Sequence, residues 1–144
     1  MNDPFNLARF VDAQRPVFGR VMNELRSGRK TSHWMWFVFP QLKGLGRSEM
    51  ATHFGIADRA EARAYTEHPL LGSRLVECVQ TLLQHADSSA LQILGSPDDL
   101  KLRSCLTLFN EAQPQVDVYH RALDQFYGGK PDDRTLERLH PSPQ

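Results

Sequence analysis

The stretch HWMWFVF, residues 33–39, decides the fold. Seven almost uniformly apolar residues carry no period, so a buried strand and a short buried helix fit them equally. The flanks favour the helix. Ser32 stands where a helix cap belongs, and Pro40 stands where a helix has to stop. A strand would also need a partner, because a lone buried strand leaves its backbone N–H and C=O groups unsatisfied. No second strand-like run exists, and no segment alternates apolar and polar residues convincingly. The reading is a short helix, then a loop through Gly44 and Gly46.

Outward from this stretch, helix start and stop signals recur on both sides. Upstream, Asp3 and Pro4 open a first helix, and Pro16 a second whose stripe is Phe18, Val21, Met22 and Leu25, ended by Gly28. Downstream, Ser48 caps EMATHFGI, and Asp58 with Glu61 has the spacing of a capping box. His68 and Pro69 close a turn, and Leu71, Leu75, Val79, Leu82 and Leu83 form the longest stripe. Ser89 to Gly95 makes a short helix. Ser96, Pro97, Asp98 and Asp99 start a helix that is apolar on several sides, as a central helix should be. Val116, Tyr119, Leu123 and Phe126 form another, and Asp133 caps DRTLERL. The sequence therefore predicts an all-α fold: a single compact multihelical domain of about seven to nine helices, several short. It spans residues 1–139, with a flexible tail at 140–144.

Composition agrees with this reading and closes off several function classes. Folding a chain of 144 residues hides roughly two thirds of its surface, enough for one core. A hydrophobic content of 40% excludes global disorder. No apolar run approaches the ~18 residues of a membrane helix, and the N-terminus lacks the pattern of a secretory signal. With 17 basic and 17 acidic residues there is no general attraction to nucleic acid, and none is expected as a partner. Cys78 and Cys105 lie inside apolar helical patterns, so they read as buried free thiols of a reducing cytoplasm. Six histidines without an H-x-x-x-H or H-x-H pair predict no metal site, and no cofactor motif is present.

Residues 28–48, GRKTSHWMWFVFPQLKGLGRS, are the functional candidate. Both tryptophans, two of the eight phenylalanines and three turn-making glycines lie beside Arg29, Lys30, Thr31, Ser32 and His33. Ligand pockets combine an apolar wall with a few polar groups in this way. With Ser32 as cap, the N–H groups of residues 33–35 would face Lys30 and make an anion site, and Trp34 or Trp36 would stack a planar group. His33 is the candidate acid or base, histidine being the side chain suited to proton transfer near neutral pH. The expected ligand residues are Lys30, Ser32, Trp34, Trp36, Gln41 and Arg74. Lys101, Ser104 and Thr107, spaced i, i+3, i+6, share one helical face and are further polar groups that could converge. The same segment reads equally as a buried structural hub. The S-x-x-K of Ser27 to Lys30 and the GLG of residues 44–46 lack the surroundings that would make either a catalytic or a phosphate-binding motif.

The strings GRKTSHWMWFVFPQLKGLGRSEMA, AYTEHPLLGSRLVECV and DDLKLRSCLTLF together resemble the bacterial domain-of-unknown-function family 1810, sometimes labelled calpastatin-like. The likeness covers about residues 3–128. It includes Lys30, Ser32, His33, Trp34, Trp36, Pro40, Gln41, Gly44, Gly46, His68, Pro69, Gly72, Arg74 and Leu75. The resemblance implies a compact multihelical cytoplasmic protein, and it implies no reaction, cofactor or catalytic residue. Calpain-inhibitor segments are disordered before binding, which this globular composition is not. The functional expectation is binding of a small anionic ligand, nucleotide-like or phosphorylated, at RKTSHWMW. The alternative is a non-catalytic protein–protein interaction module. The sequence does not say whether there is a reaction.

Overall fold

Capping side chains start four of the ten described helices. A computed structural model describes residues 2–140, and residues 141–144 of the expected tail lie outside it. The described chain runs through α1 (Ala8–Gln14), α2 (Phe18–Ser27), α3 (Met35–Val38), α4 (Glu49–Phe54) and α5 (Arg59–Glu67). It continues through α6 (Leu71–Leu83), α7 (Ala90–Leu94), α8 (Asp98–Ala112), α9 (Val118–Tyr127) and α10 (Asp133–Leu139). Ser48, Asp58 and Ser89 each accept a backbone N–H from the third residue beyond, as their spacing predicts.

The structure corrects several caps. Asp3 does not begin α1 directly. Its carboxylate spans a turn and accepts the Leu7 and Ala8 N–H groups at 2.8 and 3.0 Å, so the helix starts four residues later than Pro4 suggests. Glu61 does not return to Asp58. It accepts the Ala57 N–H and forms a 2.6 Å ion pair with Arg9, so only half of the capping box forms. Asp132 caps α10 in place of Asp133. His68 closes its turn as expected, its Nδ1 accepting from the Leu70 and Leu71 N–H groups.

The segment 33–39 contains a single helical turn. α3 uses four of its residues, and the chain then extends through Phe39 and Pro40 into an isolated parallel bridge between Leu42 and Ile56. Among the described residues no strand is longer than this bridge. The preference for helix at this stretch therefore holds.

α8 is the central helix. Leu102, Cys105, Leu106, Leu108 and Phe109 are all sealed, and α5, α7, α9 and α10 pack around it. The several-sided apolar pattern is the sequence form of that position. α6 packs on α2, α5 and α9. Its approach to α5 is close enough to require Gly72, because a Cβ there would overlap the Thr66 carbonyl. The last helix returns to the early loop: Arg138 donates to the Gly44 carbonyl at 3.2 Å and Arg134 to the Leu45 carbonyl at 3.4 Å. His140, expected in the tail, lies 2.8 Å from a Glu111 carboxylate oxygen. Among the described residues no helix is long and apolar enough to cross a membrane.

Candidate functional site

The site begins at the end of α2. Gly28 takes the left-handed conformation, φ 76°, that a helix stop needs. The chain turns back and Lys30 donates its N–H to the Ile93 carbonyl at 2.7 Å, which lays residues 29–31 along the end of α7. Glu24, one turn before Gly28, is buried under this loop. Its Oε1 accepts the Thr31 N–H at 2.8 Å, the Ser32 N–H at 3.1 Å and the Trp34 indole N–H at 2.9 Å. Its Oε2 accepts the Ser32 hydroxyl at 2.6 Å. Burial alone raises the pKa of this carboxyl. The hydrogen bonds from Ser32, Thr31 and Trp34 together outweigh burial and hold it down at about 2. Glu24 is thus a charged brace for the whole segment.

This brace overturns two expectations. Ser32 does not cap a helix, since its hydroxyl and N–H both serve Glu24, and α3 begins after Trp34 with no side-chain cap. The anion that organises this backbone is internal. Trp34 does not offer a stacking face either. It is 1% exposed, packs against Phe39 at 6.0 Å, and has the Lys30 ammonium 5.1 Å from its ring centroid. The structural-hub reading describes Trp34, while Trp36 behaves differently. Trp36 is half-buried, with the Lys101 ammonium 5.4 Å from its ring centroid.

A cleft of about 400 Å³ opens between residues 30–36 and the start of α8. Lys30, Ser32, His33 and Trp36 line one side, and Asp98 and Lys101 the other. Asp98 lies between two ammonium groups, at 2.9 Å from Lys30 and 3.8 Å from Lys101. The first pair is well enclosed, with side chains 7% and 18% exposed, so the Lys30 charge is largely committed to Asp98. Lys101 is the cation better placed to meet a ligand. His33 is exposed at the rim. The cleft can therefore offer an aromatic face, a cation, a carboxylate acceptor and an imidazole.

Gln41 lies next door rather than in this cleft. It lines a narrow apolar crevice with Trp36, Phe39, Phe54 and Lys101, which has room for about one water molecule, and also the larger hollow beyond Lys101. Arg74 is not brought to the cleft. It donates to the Gln14 amide oxygen at 3.2 Å and lies 4.5 Å from the Phe18 ring centroid. Gln14 in turn donates to the Phe37 carbonyl and to the Tyr65 hydroxyl, a buried polar network within the core. Arg74 is oriented by its neighbours on α1 and α2.

Sequence reasoning missed Asp98 as a cleft residue and assigned it only to the dipole of α8. Lys101 and Ser104 were legible through their shared helical face, and both line cavities, as Thr107 lies behind them and accepts the Asp132 N–H at 2.9 Å. Among the described residues no three His, Cys, Asp or Glu side chains gather as metal ligands.

Comparison with known proteins places the chain as follows. Residues 4–139 match the family described as protein of unknown function (DUF1810). A crystal structure of the conserved hypothetical protein Rv1873 from Mycobacterium tuberculosis is similar to the chain, at 50% sequence identity and a TM-score of 0.95. The likeness covers 97% of this chain and 100% of that one. No curated protein matches.

Proposed function

The chain belongs to the DUF1810 family, and from that premise we propose that it binds a small ligand carrying both a planar and an anionic group. The binding place is the cleft between residues 30–36 and the first turns of α8. One observation supports this above the others: Lys30, Ser32, His33 and Trp36 share a single open cleft with Lys101, on a loop already fixed by Glu24. A loop held in place before binding pays little ordering entropy when a ligand arrives. Trp36 offers its face to the planar group, Lys101 meets the anion, and Asp98 accepts a hydroxyl or amine proton of the ligand. His33 supplies the imidazole at the rim, so proton transfer at the ligand falls to it. The unpaired buried thiols Cys78 and Cys105 support placing this activity in the cytoplasm.

The interaction-module alternative needs a continuous apolar patch. Among the described residues the exposed large apolar side chains are Met50, Leu70, Leu91 and Leu100, which belong to α4, the start of α6, α7 and α8.

Tryptophan fluorescence tests the reading, because the two indoles differ in exposure. Titration with nucleoside 5′-monophosphates and sugar phosphates should give saturable quenching by at least one compound. The quenching should vanish in Trp36→Phe, which retains Trp34. A panel that neither quenches nor shifts the thermal midpoint would overturn the proposal, as would quenching that survives undiminished in Trp36→Phe.

A further inference from the structure

A second hollow, of about 330 Å³, adjoins the cleft on the far side of Lys101. Its floor is one face of α8. Pro97, Leu100, Lys101 and Ser104 follow the i, i+3, i+4, i+7 rule, and all four line it. Its walls are the loop at Leu45 and Gly46 and the start of α10, which supplies Arg134. Lys101 and Pro97 line both this hollow and the Trp36 cleft, so the two adjoin along these side chains.

Three cations face the hollow: Lys101, Arg103 and Arg134. Arg103 uses its Nε to bond the Lys130 carbonyl at 2.9 Å, which aims the guanidinium while its terminal nitrogens have no acceptor among the described residues. Arg134 makes only the long 3.4 Å contact to the Leu45 carbonyl. Asp132 is the one carboxylate on the wall, and its Oδ2 is already occupied by the Ser104 hydroxyl and by the N–H and hydroxyl of Thr135. It offsets one of the three positive charges. A concave wall with surplus like charge is unfavourable when empty and concentrates anions. Guanidinium forks match the oxygens of phosphate, and the volume falls in the ordinary range of ligand pockets, roughly 300–1,000 Å³.

We propose that this hollow is a phosphate subsite, with Arg103, Arg134 and Lys101 as its ligands. Resting on the cleft reading, the proposal also defines the ligand class. It is an elongated molecule whose planar group lies at Trp36 and whose phosphate or diphosphate reaches past Lys101 to the two arginines.

Inorganic pyrophosphate is the probe, measured by calorimetry on the full chain with Arg103→Gln, Arg134→Gln and, as a control cation outside the hollow, Arg15→Gln. Binding to the parent should weaken about tenfold or more in each of the two hollow-lining variants, the loss expected for one charge-assisted contact. It should be unchanged in Arg15→Gln. Arg103 also packs on Tyr127 and could perturb folding, so Arg134→Gln, on an exposed side chain, is the deciding variant. Absence of pyrophosphate binding, or binding indifferent to Arg134→Gln, overturns the subsite. Arginine-dependent pyrophosphate binding supports it even where no nucleoside monophosphate quenches Trp36, a result that refutes the cleft reading alone.

Discussion

Replacing Glu24 by glutamine tests whether one buried carboxylate organises the candidate site. The substitution keeps shape and removes charge. Two routes give its magnitude. The carboxyl is held at about 2 against an ordinary 4.5, which corresponds to about 3 kcal/mol at neutral pH. Independently, four hydrogen bonds end on the charged group, and each is about 0.5–1 kcal/mol stronger than a neutral equivalent. That sums to about 2–4 kcal/mol, reduced by the smaller desolvation of an amide. We expect Glu24→Gln to lose about 2 kcal/mol, or about 8 °C in Tm for a chain of this size. The sign with pH follows from the depressed folded-state value. The stabilisation is complete above about pH 4.5 and is lost as pH falls toward 2, so the gap between parent and variant must narrow in that window. Urea unfolding of both proteins at several pH values between 7 and 3 measures it. A gap below about 0.5 kcal/mol at pH 7, or one that stays constant with acid, would refute the argument.

Two further predictions concern the core. Gly72→Ala should lose about 3 kcal/mol or more, because the added methyl meets the Thr66 carbonyl of the neighbouring helix, and backbone cannot move aside as a side chain can; urea unfolding reads this directly, and parental stability would show that α5 and α6 are not so close. Burial pushes the Cys78 thiol up to about 12 and the Cys105 thiol well above its ordinary value, so a disulfide reagent at pH 8 should label neither in the native protein and both in denaturant. Fast labelling of either native thiol would contradict the sealed positions.

Local chemistry explains what the sequence made legible. Ser48, Asp58, Ser89 and Gly28 act through bonds three or four residues away, so their spacing alone marks helix ends. The pattern of α8 announced its central place because residues from Leu102 to Phe109 are covered on several sides. The site was harder to read, since its decisive contacts span the chain. Glu24 lies on α2, and its partners are residues 31, 32 and 34 around a turn, a pairing that no spacing rule marks. Lys30 and Asp98 meet only because α7 carries the chain back past the loop. Trp34 and Trp36 differ by two positions and point to different surroundings, one sealed and one lining the cleft, which no composition reveals. Arg74, grouped with the loop by chemistry, belongs to the Gln14 network.

The grip of α10 on the early loop has a consequence for synthesis. Domains fold from the N-terminal side as they are made. A nascent chain carrying only α1 to α9 has the indole side of the cleft, whereas Arg134 and the clasp of Arg138 on Gly44 are still missing. The proposed recognition surface is therefore completed only when α10 arrives, and a polypeptide interrupted shortly before this helix carries the aromatic half of the candidate site and lacks Arg134 on its outer wall.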